Sequence, residues 1–146
     1  MQNKLQAFRA GASSVLLARD AEKLLRYNED TLQYGLVLTK QQAMELIDTK
    51  NTELRYNGRL EFGEGIIGKL IAAFAPSPYI APQNYAQTLH TLIEIFYYYK
   101  NETDEKLSDD ELIEYMCTFF NGSCEGSTEL LASRELDSLA RALRSR

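Results

Sequence analysis

The chain has 146 residues, of which 45% are apolar and 25% are charged, a balance typical of a globular protein and not of a disordered one. A chain of this length can bury a sizeable core without disulfides or a structural metal. The formal net charge is −5, and basic residues concentrate only at Arg141, Arg144 and Arg146. This argues against a nucleic-acid-binding protein, since such proteins usually carry a basic face.

The first two predicted helices are marked by apolar spacing and by a capping signal. Apolar residues spaced three or four apart predict a helix from about Val15 to Asn28, and the N-terminal ~12 residues before it are expected to be peripheral. Thr39 followed by Gln42 forms a capping box that begins a second helix, and Gly58 ends it.

Four further helices follow along the chain. The third spans roughly Gly65 to Phe74, and Pro82 suits the first turn of the fourth. Ser108 opens the fifth as a capping box with Glu111, and the last begins near Ser127. The apolar stripe of the fourth helix is Tyr85, Leu89, Leu92, Phe96 and Tyr99.

Only two short stretches favour extended structure, Leu36–Leu38 and Arg59–Phe62, and both are too short to promise a sheet. No internal repeat, linker or low-complexity tract is evident. The sequence therefore predicts an all-α, single-domain bundle of five to six helices over residues 1–146, with at most one very short extended pair.

The composition also bounds the location and the chemistry. Cys117 and Cys124 are too few for a disulfide framework, and no paired CxxC exists for zinc. The N-terminus lacks a signal-peptide core, and no apolar run approaches the roughly 20 residues of a membrane span. We expect a cytoplasmic protein that uses no cofactor or metal and binds neither nucleic acid nor membrane.

A glycine pattern, Gly63-Glu-Gly65-Ile-Ile-Gly68, matches the dinucleotide-binding GxGxxG. That fingerprint also needs a preceding strand and an acid about 20 residues further on, whereas Thr88 lies near that place. We favour a glycine-rich turn that allows close backbone packing.

The segment from Leu92 to Met116 resembles a degenerate EF-hand. With Lys100 at loop position 1, Glu102 and Asp104 take positions 3 and 5, and Glu111 takes position 12. However, a cation stands at position 1 and Glu105 replaces the glycine of position 6. An ordinary helix–loop–helix is the alternative that we prefer to calcium binding.

Enzymatic candidates are few, and no catalytic residue can be assigned. His90 is the only histidine, and a pocket near it would draw on Arg59, Glu61 and Glu94. Cys124 is a weak thiol candidate, because it lies in a loop just before a helix start, where the helix dipole lowers a thiol pKa.

The residues from Glu102 to Glu114 carry seven acids against one base, a local charge of −6, so the rest of the chain sums to +1. Tyrosine is enriched at protein interfaces, and the helical period places Tyr98 on the polar face of its helix. These features predict an interaction surface for a positively charged protein. Its residues are Tyr98, Glu102, Asp104, Asp109 and Asp110.

Four strings resemble a family of small bacterial proteins known only as a domain of unknown function. They begin at Tyr34 (YGLVLT), Gly58 (GRLEFG), Phe96 (FYYYKNE) and Ser108 (SDDELI). The resemblance covers the chain from about Asn28, and it implies a bacterial origin and no functional residue. We therefore expect a non-catalytic interaction or regulatory module, with a small enzyme or a calcium-responsive helix pair as alternatives. Its oligomeric state is left open, a homodimer included.

Overall fold

The fold is all-α, as predicted. The computed structural model describes residues 17–59, 61 and 63–145, and no strand occurs among them. The predicted start of the first helix at Val15 and the peripheral N-terminal segment lie outside this range. None of the described helices has the length and apolarity to cross a membrane.

Six helical segments make up the described chain, two of them interrupted. They are α1 (17–25) with the single turn α2 (Asn28–Thr31), α3 (Lys40–Tyr56), α4 (Ile66–Phe74), α5 (Tyr85–Glu102), α6 (Asp109–Asn121), and α7 (Thr128–Leu130) with α8 (Leu136–Arg144). A π turn at Leu131–Glu135 joins α7 to α8, and 3₁₀ turns occupy Leu32–Tyr34 and Pro82–Asn84.

Both predicted capping boxes form. The Thr39 hydroxyl accepts from the Gln42 N–H at 3.1 Å, and the Gln42 side chain accepts from the Thr39 N–H at 2.9 Å. Ser108 and Glu111 make the same reciprocal pair at 3.1 and 3.0 Å. These local contacts fix the starts of α3 and α6.

The extended pair does not form among the described residues. The backbone of Leu38 pairs with the Asn28 side chain and not with a neighbouring strand. The Asn28 amide nitrogen donates to the Leu38 carbonyl at 3.0 Å, and the Asn28 amide oxygen accepts from the Leu38 N–H at 2.9 Å. The Thr31 hydroxyl donates to the Leu36 carbonyl at 2.6 Å. In the second stretch Arg59 and Glu61 are irregular, and residues 60 and 62 lie outside the described chain.

The helices are stacked in two parallel rows. Side-chain contacts between neighbouring helices join residues 41 to 44 positions apart: Thr49–His90, Asn57–Asn101, Lys69–Asp110, Ala73–Cys117, Ser77–Asn121 and Glu102–Arg144. Partner numbers rise together along each helix, so α5 runs parallel to α3, and α6 parallel to α4. We call α3, α5 and α8 the first row, and α2, α4 and α6 the second row.

This stacking amounts to a structural repeat of about 43 residues, which the sequence analysis missed. In stacked repeats each layer mainly contacts its neighbours. What repeats is the order and spacing of the helices along the chain. The side chains at equivalent positions differ, as Thr49 and His90 do. The second row also includes Tyr27, which comes just before α2 and whose ring lies directly against Gly68 of α4.

Candidate functional site

The acidic loop between α5 and α6 is held by cations from four parts of the fold. The ion pairs are Glu102–Arg144 at 2.7 Å, Asp109–Lys100 at 2.8 Å, Asp110–Lys69 at 2.7 Å, and Glu105–Arg59. Partly exposed pairs of this kind contribute little to stability. Their main effect is to cancel much of the charge that the sequence concentrates here.

The five predicted surface residues therefore differ in what they offer to a partner. Glu102, Asp109 and Asp110 already contact cations of the chain itself, on different sides of the loop. Asp104 is exposed and forms no ion pair with any described residue. Tyr98 is 57% exposed. The structure thus leaves Tyr98 and Asp104 as the two available members of this set.

An ammonium group lies in the loop where an EF-hand would hold calcium. Lys100 donates from Nζ to the Leu107 carbonyl at 2.7 Å and pairs with Asp109, and its side chain is only 12% exposed. Asp104 and Glu105 take left-handed φ values of 53° and 57°, which turn the chain without a glycine. No group of three or more potential ligands that could hold a metal occurs in the described chain.

We predict that Lys100→Met lowers the free energy of unfolding by about 2 kcal/mol, because the Leu107 carbonyl loses its charged donor. Urea denaturation measures the loss, and Lys40→Met, at an exposed site on α3, is the matched control. Titration calorimetry of the unmodified protein with millimolar calcium should show no binding heat. Calcium-dependent heat would instead support the EF-hand interpretation.

Tyr98 stands on the exposed stripe of the central helix α5. Its neighbours Tyr97 and Tyr99 are buried, with 3% and 5% exposure, and the Tyr99 hydroxyl donates to the Ala132 carbonyl. Glu94 and Glu102 lie one helical turn before and after Tyr98, on the same face. The result is an exposed aromatic ring between two carboxylates.

His90 of α5 contacts α3 through one ring nitrogen and its own helix through the other. Nδ1 lies 2.9 Å from the Thr49 hydroxyl, and Nε2 lies 3.2 Å from a Glu94 carboxylate oxygen. The Thr49 hydroxyl is also 2.9 Å from the Glu45 carbonyl. A neutral ring that donates from Nε2 to Glu94 accepts a hydrogen bond from the Thr49 hydroxyl at Nδ1. A charged ring would donate to the Thr49 oxygen, and the Thr49 hydroxyl would then donate to the Glu45 carbonyl.

A partly buried carboxylate adjoins this group. Burial raises the pKa of Glu53, the nearby Glu94 charge raises that pKa further, and His90 opposes the rise. A cleft of about 380 Å³ between α3 and α5 has Glu45, Gln87 and His90 on its wall. This seam is a concave region with polar side chains on its wall.

The four predicted pocket residues are not brought together. His90 and Glu94 are in contact, but Arg59 pairs with Glu105 in the acidic loop. The Glu61 carboxylate lies beside Gly65, at the start of α4. The cleft near His90 is therefore formed without Arg59, Glu61 or Glu94 in its wall.

Lys50 is a buried charged residue that the sequence analysis missed. It has no exposed surface, and its Nζ donates to the Gly63 carbonyl at 2.5 Å and the Glu61 carbonyl at 3.4 Å. Burial lowers the pKa of Lys50, opposed by the carboxylates of Asp20, Glu61 and Glu64. A signal existed, since Lys50 continues the apolar spacing of α3 between Ile47 and Leu54.

The glycine pattern is explained by close packing, as the sequence analysis favoured. A Cβ at Gly68 would lie 2.2 Å from the Tyr27 hydroxyl oxygen, and one at Gly65 would lie 3.1 Å from Cδ of Lys50. Gly65 also has a positive φ of 53°. These glycines let Tyr27 and Lys50 lie against the start of α4.

The structure does not favour a reactive thiol at Cys124. Its side chain is 2% exposed, and burial raises the pKa of the thiol, with Glu135 adding to the rise. A helix start was expected to lower the pKa of this thiol, but burial disfavours the thiolate and the pKa rises instead.

Comparison with known proteins identifies a family and nothing more. The model of the family described as "Family of unknown function (DUF6323)" matches residues 23–146, so the match begins within α1 and includes every later helix. No curated protein and no solved structure matches the chain. The predicted resemblance to a family of unknown function is confirmed.

Proposed function

This chain belongs to DUF6323, a family of unknown function, and we propose that it is a non-catalytic protein-interaction or regulatory module. The observation that carries the proposal is the 57% exposure of Tyr98 on a central helix whose adjacent tyrosines are buried. An exposed aromatic residue on a rigid helix is a typical anchor for a protein partner. The proposal places this module in the cytoplasm of a bacterium.

The charges around Tyr98 define the chemistry of the partner. Glu94 lies one turn before it, with a carboxylate oxygen 3.2 Å from Nε2 of His90, and Asp104 in the following loop is without an ion pair among the residues described. Carboxylates near an exposed aromatic ring attract lysine and arginine side chains. The partner would accordingly present a basic surface.

The stacked helices support an interaction role by analogy of architecture. Stacked helical repeats generate extended surfaces that many proteins use for binding. Architecture alone does not determine function, so the weight of the proposal rests on Tyr98 and its carboxylate neighbours.

A pull-down with the double variant Tyr98→Ala/Asp104→Lys tests the proposal. We expect it to recover roughly tenfold less of the specific partner than the unmodified protein, because an aromatic anchor and a complementary charge are both lost. Asp48→Lys, at an exposed site on α3, controls for net charge. Equal recovery by the double variant and the unmodified protein would remove this surface from the proposal.

A further inference from the structure

The second row of helices ends on a partly exposed aromatic face, in which Tyr115 is exposed and Phe119 is partly buried. Asp110 and Cys117 of α6 contact α4, and Asn121 contacts Ser77 just after it. At 100° per residue, Phe119 lies 200° around the helix from Cys117, and therefore on the side away from α4. Phe119 and Tyr115 stack there, with ring centroids 6.0 Å apart and planes 26° apart.

This face forms an open groove of about 320 Å³, lined by Glu111, Glu114, Tyr115, Thr118 and Phe119. Tyr115 is 40% exposed. Earlier in the second row, each helix is covered by the next one along the chain. α4 packs over Tyr27, and α6 packs over α4. No further second-row helix covers α6 within the part of the chain that the structure describes.

The charge of the groove is negative. Neither Glu111 nor Glu114 forms an ion pair with a described lysine or arginine. One oxygen of Glu111 accepts from the Ser108 N–H, while Glu114 is exposed. The groove therefore combines two aromatic rings with at least one carboxylate available for a cation.

We propose that this groove binds an amphipathic helix of a partner protein, with lysine or arginine side chains beside its apolar stripe. An ion pair also joins two second-row helices within the chain, where Lys69 of α4 pairs with Asp110 of α6 at 2.7 Å. The apolar stripe would cover Tyr115 and Phe119, while the cations meet Glu114.

Charge complementarity favours a basic partner over a second copy of this chain. Symmetric pairing of two α6 faces would bring the Glu111 and Glu114 carboxylates of one copy against those of the other, and like charges in contact are unfavourable. The groove is formed by α6 residues alone and does not involve Tyr98 or Asp104, so its test is separate from that of the proposed function.

The experiment titrates the isotope-labelled protein with a synthetic helical peptide of leucine, alanine and arginine that has leucine on one face. Amide NMR shifts locate the contact and give the affinity. We expect shifts centred on Tyr115 and Phe119, and roughly tenfold weaker binding for Glu114→Lys and for Tyr115→Ala. A peptide with glutamate in place of arginine should not bind at this groove.

Two control variants distinguish this proposal from the proposed function. Asp48→Lys and Tyr98→Ala should both bind the arginine peptide like the unmodified protein, because both sites lie outside the groove. Shifts centred elsewhere, or equal weakening by Asp48→Lys and Glu114→Lys, would overturn the proposal. It would also be overturned if sedimentation showed self-association that Tyr115→Ala abolishes, since a second copy would then occupy the groove.

Discussion

Between pH 10 and 12 the free energy of unfolding should fall steeply, because three tyrosine hydroxyls are buried in the neutral form. Burial raises the pKa of Tyr85 and Tyr99 from 10.0 to about 12, and it raises the pKa of Tyr97 as well. In this range the unfolded chain releases these protons and the folded protein keeps them. The folded state binds more protons, so its stability decreases as the pH rises.

The expected effect is large compared with the stability of a typical domain. Each such tyrosine contributes a slope of up to about 1.4 kcal/mol per pH unit between its unfolded and folded pKa. Tyr85 and Tyr99 together would therefore remove roughly 5 kcal/mol over two pH units, which is comparable with a whole domain's stability of about 5–15 kcal/mol. The protein is expected to unfold in this range.

Urea denaturation at a series of alkaline pH values measures this slope, and near-ultraviolet absorbance reports when the tyrosines ionise. Tyr85→Phe and Tyr97→Phe should each make the fall shallower. Tyr97→Phe should also be at least as stable as the unmodified protein at neutral pH, because its buried hydroxyl has no hydrogen-bond partner in the described chain. Tyr56→Phe, at a site that is 90% exposed, is the control and should leave the slope unchanged. If neither Tyr85→Phe nor Tyr97→Phe altered the alkaline loss of stability, the buried tyrosines would not be its cause.

Features that depend on a few adjacent residues could be predicted from the sequence. Thr39 and Ser108 begin α3 and α6 as expected, because a capping box is completed within four residues. The burial of Tyr97 and Tyr99 and the exposure of Tyr98 follow from 100° of rotation per residue.

Features that depend on distant residues could not be predicted. The charge of the acidic loop is visible in the sequence, but its partners Arg59, Lys69 and Arg144 lie more than 35 positions away. The 43-residue repeat escaped notice for the same reason, since it consists of contacts between unlike side chains. The Asn28 side chain likewise pairs with the backbone of Leu38, ten residues further along, in place of a neighbouring strand. No strand pattern in the sequence indicates this contact.

Lys50→Ala should lower the free energy of unfolding by roughly 4 kcal/mol. The substitution removes the charged donor of the Gly63 and Glu61 carbonyls and leaves a cavity where the aliphatic stem was packed. Lys50→Met keeps most of the stem volume and avoids burying a charge, so its loss should be smaller, about 2 kcal/mol. Urea denaturation of both variants, with the exposed-site control Lys40→Ala, separates lost packing from lost hydrogen bonds.

The pH dependence of Lys50→Met gives a second and independent readout. Because burial lowers the pKa of Lys50 below 10.5, the folded protein releases this proton at a lower pH than the unfolded chain does. Over that range the unfolded chain binds more protons, so Lys50 makes stability increase with pH, opposite in sign to the buried tyrosines. Lys50→Met should abolish this increase below pH 10 and leave the alkaline fall in place. If both variants were as stable as the unmodified protein at every pH, the ammonium would not hold the turn before α4, and the glycine pattern would have to be explained by Tyr27 and Gly68 alone.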